Sequence, residues 1–461
     1  MPRFHPVRPR FASLAIAVVL VLGATYAVRL LTAQPAPGAA SSGVTANLAA
    51  PLDDAAPSGR SERLMARYDG AIKAWNESLD TSSANFIAAT NLGTVYVGRA
   101  RLTGDLADYD RARTAVGRAL AVNPTYLPAL ELHATILFAV HDFVGARDEA
   151  RAILAGAPDQ LPALATFGDA SLELGDVQVA SDSYLALDAQ AASAPVWSRL
   201  SHLAFIQGDL DRAIGLVQRA IDAMVDEPPS ESTAFYQFQI GELYRARGDA
   251  DAAAAAYQHA LDDLPQYVPA LAGLARVREA QGRRNEAIAL LKQATDLIPQ
   301  PEMVSALGDL HALAGDATAA EQSYALVERI GAVARATGSV YNRQLVIFAA
   351  DHDRDLPSAL ALARAELQVR KDVYGHDALA WILFTSGDLA EAATEAEAAL
   401  ALGTPDPRIA YHAGMIAAAQ GRADDARRLL SSALAGAAVL PPLQVPVAEK
   451  ALAALGGEAL R

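Results

Sequence analysis

Apolar residues along this chain recur at three- and four-residue spacing in runs about a dozen long, and the runs come in pairs. Residues 237–265 show one pair. Ile240, Leu243 and Tyr244 share a face with Gly241, a small residue that allows a second helix to approach closely, and Gly248-Asp249 follows. Ala253, Tyr257, Ala260 and Leu261 mark a second apolar face, which Pro265 ends. Glycine takes the positive φ that terminates a helix, and aspartate caps the helix that follows. The segment therefore predicts two antiparallel helices joined by a tight turn.

The turn pair returns at Gly175-Asp176, Gly208-Asp209, Gly248-Asp249, Gly282-Arg283, Gly315-Asp316, Gly387-Asp388 and Gly421-Arg422, in steps of 33, 40, 34, 33, 72 and 34 residues. Such a period marks a solenoid, whose units bury their apolar faces only against neighbours. The long step predicts one more unit over 346–366, with Ala359 and Ala363 on its second helix and its turn at 353–357.

The unit resembles the tetratricopeptide repeat through Ile240-Gly241, Tyr244, Gly248, Ala253, Tyr257, Ala260 and Pro265. The same frame runs through Leu92-Gly93, Tyr96, Ala112, Ala119 and Pro124, through Gly168, Gly175, Ala180 and Tyr184, and through Leu307-Gly308, Gly315, Ala320 and Tyr324. About ten units over 62–435 fit it. The first carries extra residues between Tyr96 and Ala112, expected to lengthen its hairpin loop. The resemblance implies an all-α fold, a right-handed superhelical solenoid of antiparallel helix hairpins. It also implies a non-enzymatic scaffold that holds a protein or peptide partner in its concave groove.

Composition agrees: 52% of residues are hydrophobic but only 6% aromatic, a core of Ala and Leu suited to closely packed helices. A net charge of −15 argues against nucleic acid as a partner, and the absence of cysteine excludes disulfides and thiolate metal sites. No catalytic, cofactor or metal site is expected.

At the N-terminus, Arg3, Arg8 and Arg10 precede an uncharged apolar stretch over 11–28. Residues 1–32 are expected to be a signal peptide or a transmembrane anchor, the length favouring the anchor, with the repeats outside the cytoplasm. Residues 33–61, rich in Ala, Pro, Ser and Gly, read as a flexible linker, and 63–79 as a helix sealing the front of the stack. Residues 436–461 are expected to hold a C-terminal capping helix, which argues for a monomer or weak oligomer.

The resemblance implies that the first helix of each hairpin lines the groove, which makes Tyr341, Phe348, Tyr374, Asp377, Trp381, Phe384, Arg408, Tyr411 and Met415 a candidate partner surface. The competing expectation is that these aromatics pack between hairpins. His202, Phe205, Phe238, Arg245 and Arg276 form a second patch, its arginines expected to be solvated or ion-paired. The alternative function is a small-ligand-binding protein or enzyme using His376, Asp377 and His412. Asp351-His352-Asp353-Arg354-Asp355 offers metal-friendly side chains but is expected to fall in the turn between two helices, where aspartates cap and solvate.

Overall fold

The computed structural model describes residues 57–336 and 343–456. Tyr341, the apolar N-terminal stretch and most of the proposed linker lie outside them. Among the described residues there are 22 α-helices and no strand. None of these helices is long and apolar enough to cross a membrane.

A leading helix, α1 (Pro57–Thr81), packs on the first hairpin, α2 (Phe86–Thr103) and α3 (Leu106–Val122). Hairpins then follow as α4 (Leu127–Ala139) with α5 (Phe143–Gly156), α6 (Leu161–Glu173) with α7 (Val177–Ala191), and α8 (Ala194–Ile206) with α9 (Leu210–Asp222). Next come α10 (Glu231–Arg247) with α11 (Ala250–Asp263), α12 (Val268–Ala280) with α13 (Arg284–Leu297), and α14 (Pro301–Leu313) with α15 (Ala317–Ala336). The last three are α16 (Arg343–His352) with α17 (Leu356–Leu367), α18 (Val373–Thr385) with α19 (Leu389–Leu400), and α20 (Pro407–Ala419) with α21 (Ala423–Ala435). A 3-10 turn over Ala437–Val439 and α22 (Gln444–Ala454) complete the described chain.

The turn chemistry follows the sequence. All seven turn glycines have positive φ, from 73° at Gly282 to 89° at Gly387. The carboxylates of Asp209, Asp249, Asp316 and Asp388 accept backbone N–H bonds from the first turn of the next helix. Local departures have equally local causes. The extra residues of the first unit lengthen α2 instead of its loop: the helix continues to Thr103, and Gly104 ends it in the left-handed region at φ 69°. The front helix starts at Pro57, so its first five residues fall inside the segment read as linker. Asp351 and His352 belong to α16, so the turn begins only at Asp353.

Within a hairpin, the aromatic of the second helix fills the space left by a glycine of the first. Tyr257 sits between Gly241 and Gly273, where an added Cβ at either position would lie 2.6 Å from its ring. Helices approach at short distance there because neither glycine has a side chain to hold them apart.

The superhelix also touches itself. The turns after α6, α8 and α10 press on the ends of units five further on: a Cβ on Gly175 would lie 2.4 Å from Lys371 O, one on Gly208 2.9 Å from Gly403 O, and one on Gly248 2.4 Å from Ala435 O. Thr404 Oγ1 donates to Ile206 O at 2.6 Å, Arg245 Nη1 donates to Ala438 O at 3.3 Å, and Arg370 ion-pairs with Glu173. These three polar contacts span sequence separations of 193 to 198 residues. Successive coils therefore stack edge to edge, and the inner face is partly enclosed.

Candidate functional site

Closure turns the expected open groove into a chamber of about 190 Å³, room for roughly a dozen waters or more on the same measure. Its walls come from first helices of both coils: Glu173 of α6, His202 of α8, Arg276 of α12, Glu302 and Asp309 of α14, Tyr374 and Asp377 of α18, Arg408 and His412 of α20. The segment expected to cap the stack contributes as well, since Val439, Leu440, Pro441, Pro442 and Gln444 line the chamber.

Most of the proposed aromatic groove is core. Trp381, Tyr411 and Phe348 are 5%, 2% and 5% exposed. The Trp381 ring stacks on His412 at 4.2 Å, and its Nε1 donates to Asp351 Oδ1 at 2.7 Å. Phe384 stacks on Trp381 at 5.3 Å, and Met415 packs against the same cluster. Large rings on neighbouring first helices meet each other before they meet solvent, because small residues elsewhere bring the hairpins close. Of the nine candidates, Phe348, Tyr374, Asp377 and Arg408 line the chamber.

The second patch is divided in the same way. His202 and Arg276 reach the chamber, where burial pushes the His202 imidazole down to about 4. Phe205 and Phe238 pack against core clusters. Arg245 is buried against Glu242 and Tyr257.

Of the three residues of the catalytic alternative, the structure brings Asp377 and His412 together and holds His376 apart from them. His376 Nδ1 pairs with Glu395 Oε2 at 2.6 Å, while His412 Nδ1 pairs with Asp377 Oδ1 at 2.9 Å, so the two imidazoles serve separate contacts.

Most charges in the chamber are matched. Arg343 Nη2 lies 2.8 Å from Glu366 and 2.9 Å from Asp372. Arg370 joins the same two acids and Glu173. Arg276 holds Glu302 at 2.6 Å, with Arg408 on the other side at 3.7 Å. His141, at φ 66° in the turn between α4 and α5, lines the chamber with neither ring nitrogen hydrogen-bonded. Burial and the nearby Arg370 and Arg343 push that imidazole down to about 3, so it is neutral.

Three units share a device that sequence reasoning missed. A Gly-acid pair on the first helix receives, at its acid, the hydroxyl of the tyrosine that packs on its glycine. Tyr184 donates to Asp169 at 2.8 Å, Tyr257 to Glu242 at 2.5 Å, and Tyr324 to Asp309 at 2.9 Å. The signal was available, because each tyrosine stands fifteen residues after its acid.

The third partner differs between the copies. Asp169 takes a forked pair of bonds from Arg199 of the next first helix, both at 2.9 Å, and Glu242 takes Arg245. Opposite Asp309 the next first helix offers His352, whose Nε2 lies 3.4 Å from Oδ1. Burial, with Arg354 nearby, pushes that imidazole down to about 4, so it brings no positive charge. Burial also pushes the Asp309 carboxyl up to about 7, the Tyr324 bond opposing this and the Asp351 charge adding to it.

No curated protein matches the chain. Among solved structures, similar ones include a tetratricopeptide repeat protein from Parabacteroides merdae, 16% identical over 52% of this chain and 90% of that one, with a TM-score of 0.40. MamA is 23% identical over 35% of this chain and 92% of its own, with a TM-score of 0.29. The human IFIT1 dimer with PPP-AAAA is 14% identical over 75% of this chain and 87% of that one, with a TM-score of 0.42. Residues 192–266, 244–310 and 378–441 each match a tetratricopeptide repeat family model, so these stretches of the array carry that repeat.

Proposed function

We propose that this chain is a non-catalytic binding scaffold whose recognition surface is the chamber between its coils, and that its occupant is a short, extended peptide segment of a protein partner. The observation that carries the reading is the stacking of coils at Gly175, Gly208 and Gly248, which leaves a chamber with charged side chains set among apolar walls and too small for a folded domain. Tetratricopeptide repeats are protein-interaction modules, which supports the reading, and His376 is engaged by Glu395 rather than joined to the Asp377–His412 pair.

We further propose that residues 1–32 tether the array to a membrane with the repeats outside the cytoplasm, in service of an envelope complex. The basic residues before the uncharged run at 11–28 support this reading.

The test is selection of displayed random peptides on the full chain and on Ala306→Trp, a substitution that fills the chamber from its α14 wall. Peptides retained by the parent and lost by the helical, folded variant support the chamber. Retention by both moves recognition to the outer surface.

A further inference from the structure

Asp309 and Asp351 form a wall of the chamber on adjacent first helices, α14 and α16. Each uses one oxygen for the protein. Asp309 Oδ1 accepts from Tyr324, and Asp351 Oδ1 accepts from Trp381 Nε1 and Gln444 Nε2, both at 2.7 Å. Among the described residues, Oδ2 of neither receives a hydrogen bond, and no Arg or Lys pairs with either carboxylate. The other acids lining the chamber are each paired, Glu173 with Arg370, Glu302 with Arg276 and Asp377 with His412, whereas Asp309 has only the neutral His352 at 3.4 Å and Asp351 feels His412 and Arg408 without an ion pair to either.

A second observation points the same way. Gln444, 7% exposed and lining the chamber beside Asp351, has its amide oxygen Oε1 buried and without a hydrogen-bond partner, and Gln344 Oε1 on α16 is in the same condition. A buried acceptor without a donor costs on the order of 1–3 kcal/mol. Carboxylate and amide oxygens only accept, so the unmet demand of this wall is for N–H donors carrying positive charge. Among the described residues no group of three metal-binding side chains is present, which leaves a donor-rich organic cation as the complement.

We propose that the Asp309–Asp351–Gln444 wall binds an ammonium or guanidinium group, the charged end of a lysine or arginine side chain or of a free amine. This deepens the peptide-binding reading and rests on it for the location of the ligand. In the unit where the tyrosine-bound acid lacks its arginine, the ligand supplies the missing cation.

Binding is coupled to protons. The titratable groups facing Asp309 are Tyr324 of α15 and Asp351 and His352 of α16, with Arg354 beyond them held by Glu321 and Glu328. A cation arriving beside a carboxyl that burial has raised to about 7 displaces its remaining proton, so binding near neutral pH releases a fraction of a proton.

The experiment is isothermal titration of the full chain with agmatine and with an end-blocked Gly-Arg-Gly peptide, in two buffers of different ionisation heat. The end-blocked Gly-citrulline-Gly peptide and potassium chloride serve as neutral and inorganic controls. The expected result is saturable binding of the cations with proton release, no binding of the controls, and a roughly 10- to 100-fold loss in Asp309→Asn and in Asp351→Asn, the worth of one charge-assisted hydrogen bond. Both variants keep the oxygen that Tyr324 or Trp381 requires.

Binding of agmatine alone supports the wall and counts against a peptide occupant, whereas binding of the peptide alone supports both. Peptides selected by the chamber without regard to charge, or cation binding unchanged in the double Asn variant, overturn the inference and leave the chamber reading standing. No saturable cation binding overturns it as well.

Discussion

Arg370, in the loop before α18, ion-pairs with Glu173 at the end of α6, 197 residues earlier in the chain and one coil away in space. Arg370 is only 8% exposed, and its guanidinium also reaches Glu366 and Asp372, each at 3.4 Å. Replacing one partner of such a pair leaves a buried charge, and Arg370→Leu is expected to cost about 3 kcal/mol in urea denaturation. Combining it with Glu173→Gln recovers part of the loss. A double-mutant cycle with no coupling would show that the coils are held by packing alone.

The turn glycines provide a cleaner probe of the same contact. Gly175 and Gly282 both have positive φ, 87° and 73°, so alanine at either costs about 1 kcal/mol for backbone strain alone. At Gly282 the new Cβ meets nothing within 4 Å, whereas at Gly175 it would meet Lys371 O at 2.4 Å. Gly175→Ala is expected to be the more destabilising, and by small-angle scattering to loosen the coil. Equal losses from the two substitutions would contradict the stacked arrangement.

Asp309 gives the chain a pH signature. Its folded carboxyl holds a proton up to about 7, while in the unfolded chain it releases it near 3.8. Between these values the folded state binds more protons, so stability falls as pH rises from about 4 to about 7 and is level on either side. The loss is up to about 4 kcal/mol. Asp309→Asn is therefore expected to raise the thermal midpoint at pH 8 and leave it nearly unchanged at pH 4.

Asp169→Asn has the opposite effect in the same structural setting. Arg199 is 1% exposed, and loss of its counter-charge is expected to destabilise by about 3 kcal/mol at neutral pH. Similar midpoints for the two Asn variants at pH 8 would remove the distinction between the paired and unpaired copies.

Trp381→Ala is expected to act on folding. The ring stacks on His412 and Phe384 and is 5% exposed, so truncation should cost about 3–5 kcal/mol and lower the denaturation midpoint. An unchanged midpoint would mean that the ring is not part of the core.

The hairpins were legible because their signals are local: a glycine at Gly248 or Gly387 ends one helix, and Asp249 or Asp388 starts the next. The extra unit at α16 and α17 could be inferred from the doubled step alone. The chamber was hidden because no local pattern records that Gly175 meets Lys371, or that Arg245 reaches Ala438. The aromatic residues misled for a related reason. Spacing puts Trp381 and Tyr411 on first helices, but only the curvature of the whole array decides whether that face sees solvent or another ring. Asp309 was readable in principle, as an acid fifteen residues before a tyrosine in three units, but its missing arginine becomes visible only when the next helix is in place.

A repeat array is ordinarily free to grow or shrink by whole units, since each touches only its neighbours. Contacts recurring at separations of 193 to 198 residues end that freedom here. Insertion or loss of a single hairpin between Gly175 and Lys371 would set every glycine turn against the wrong loop and carry the chamber wall out of register with its floor. The number of units per coil is thus a fixed dimension of this molecule, as strand number is of a closed barrel, and the chain can lengthen only beyond its two ends.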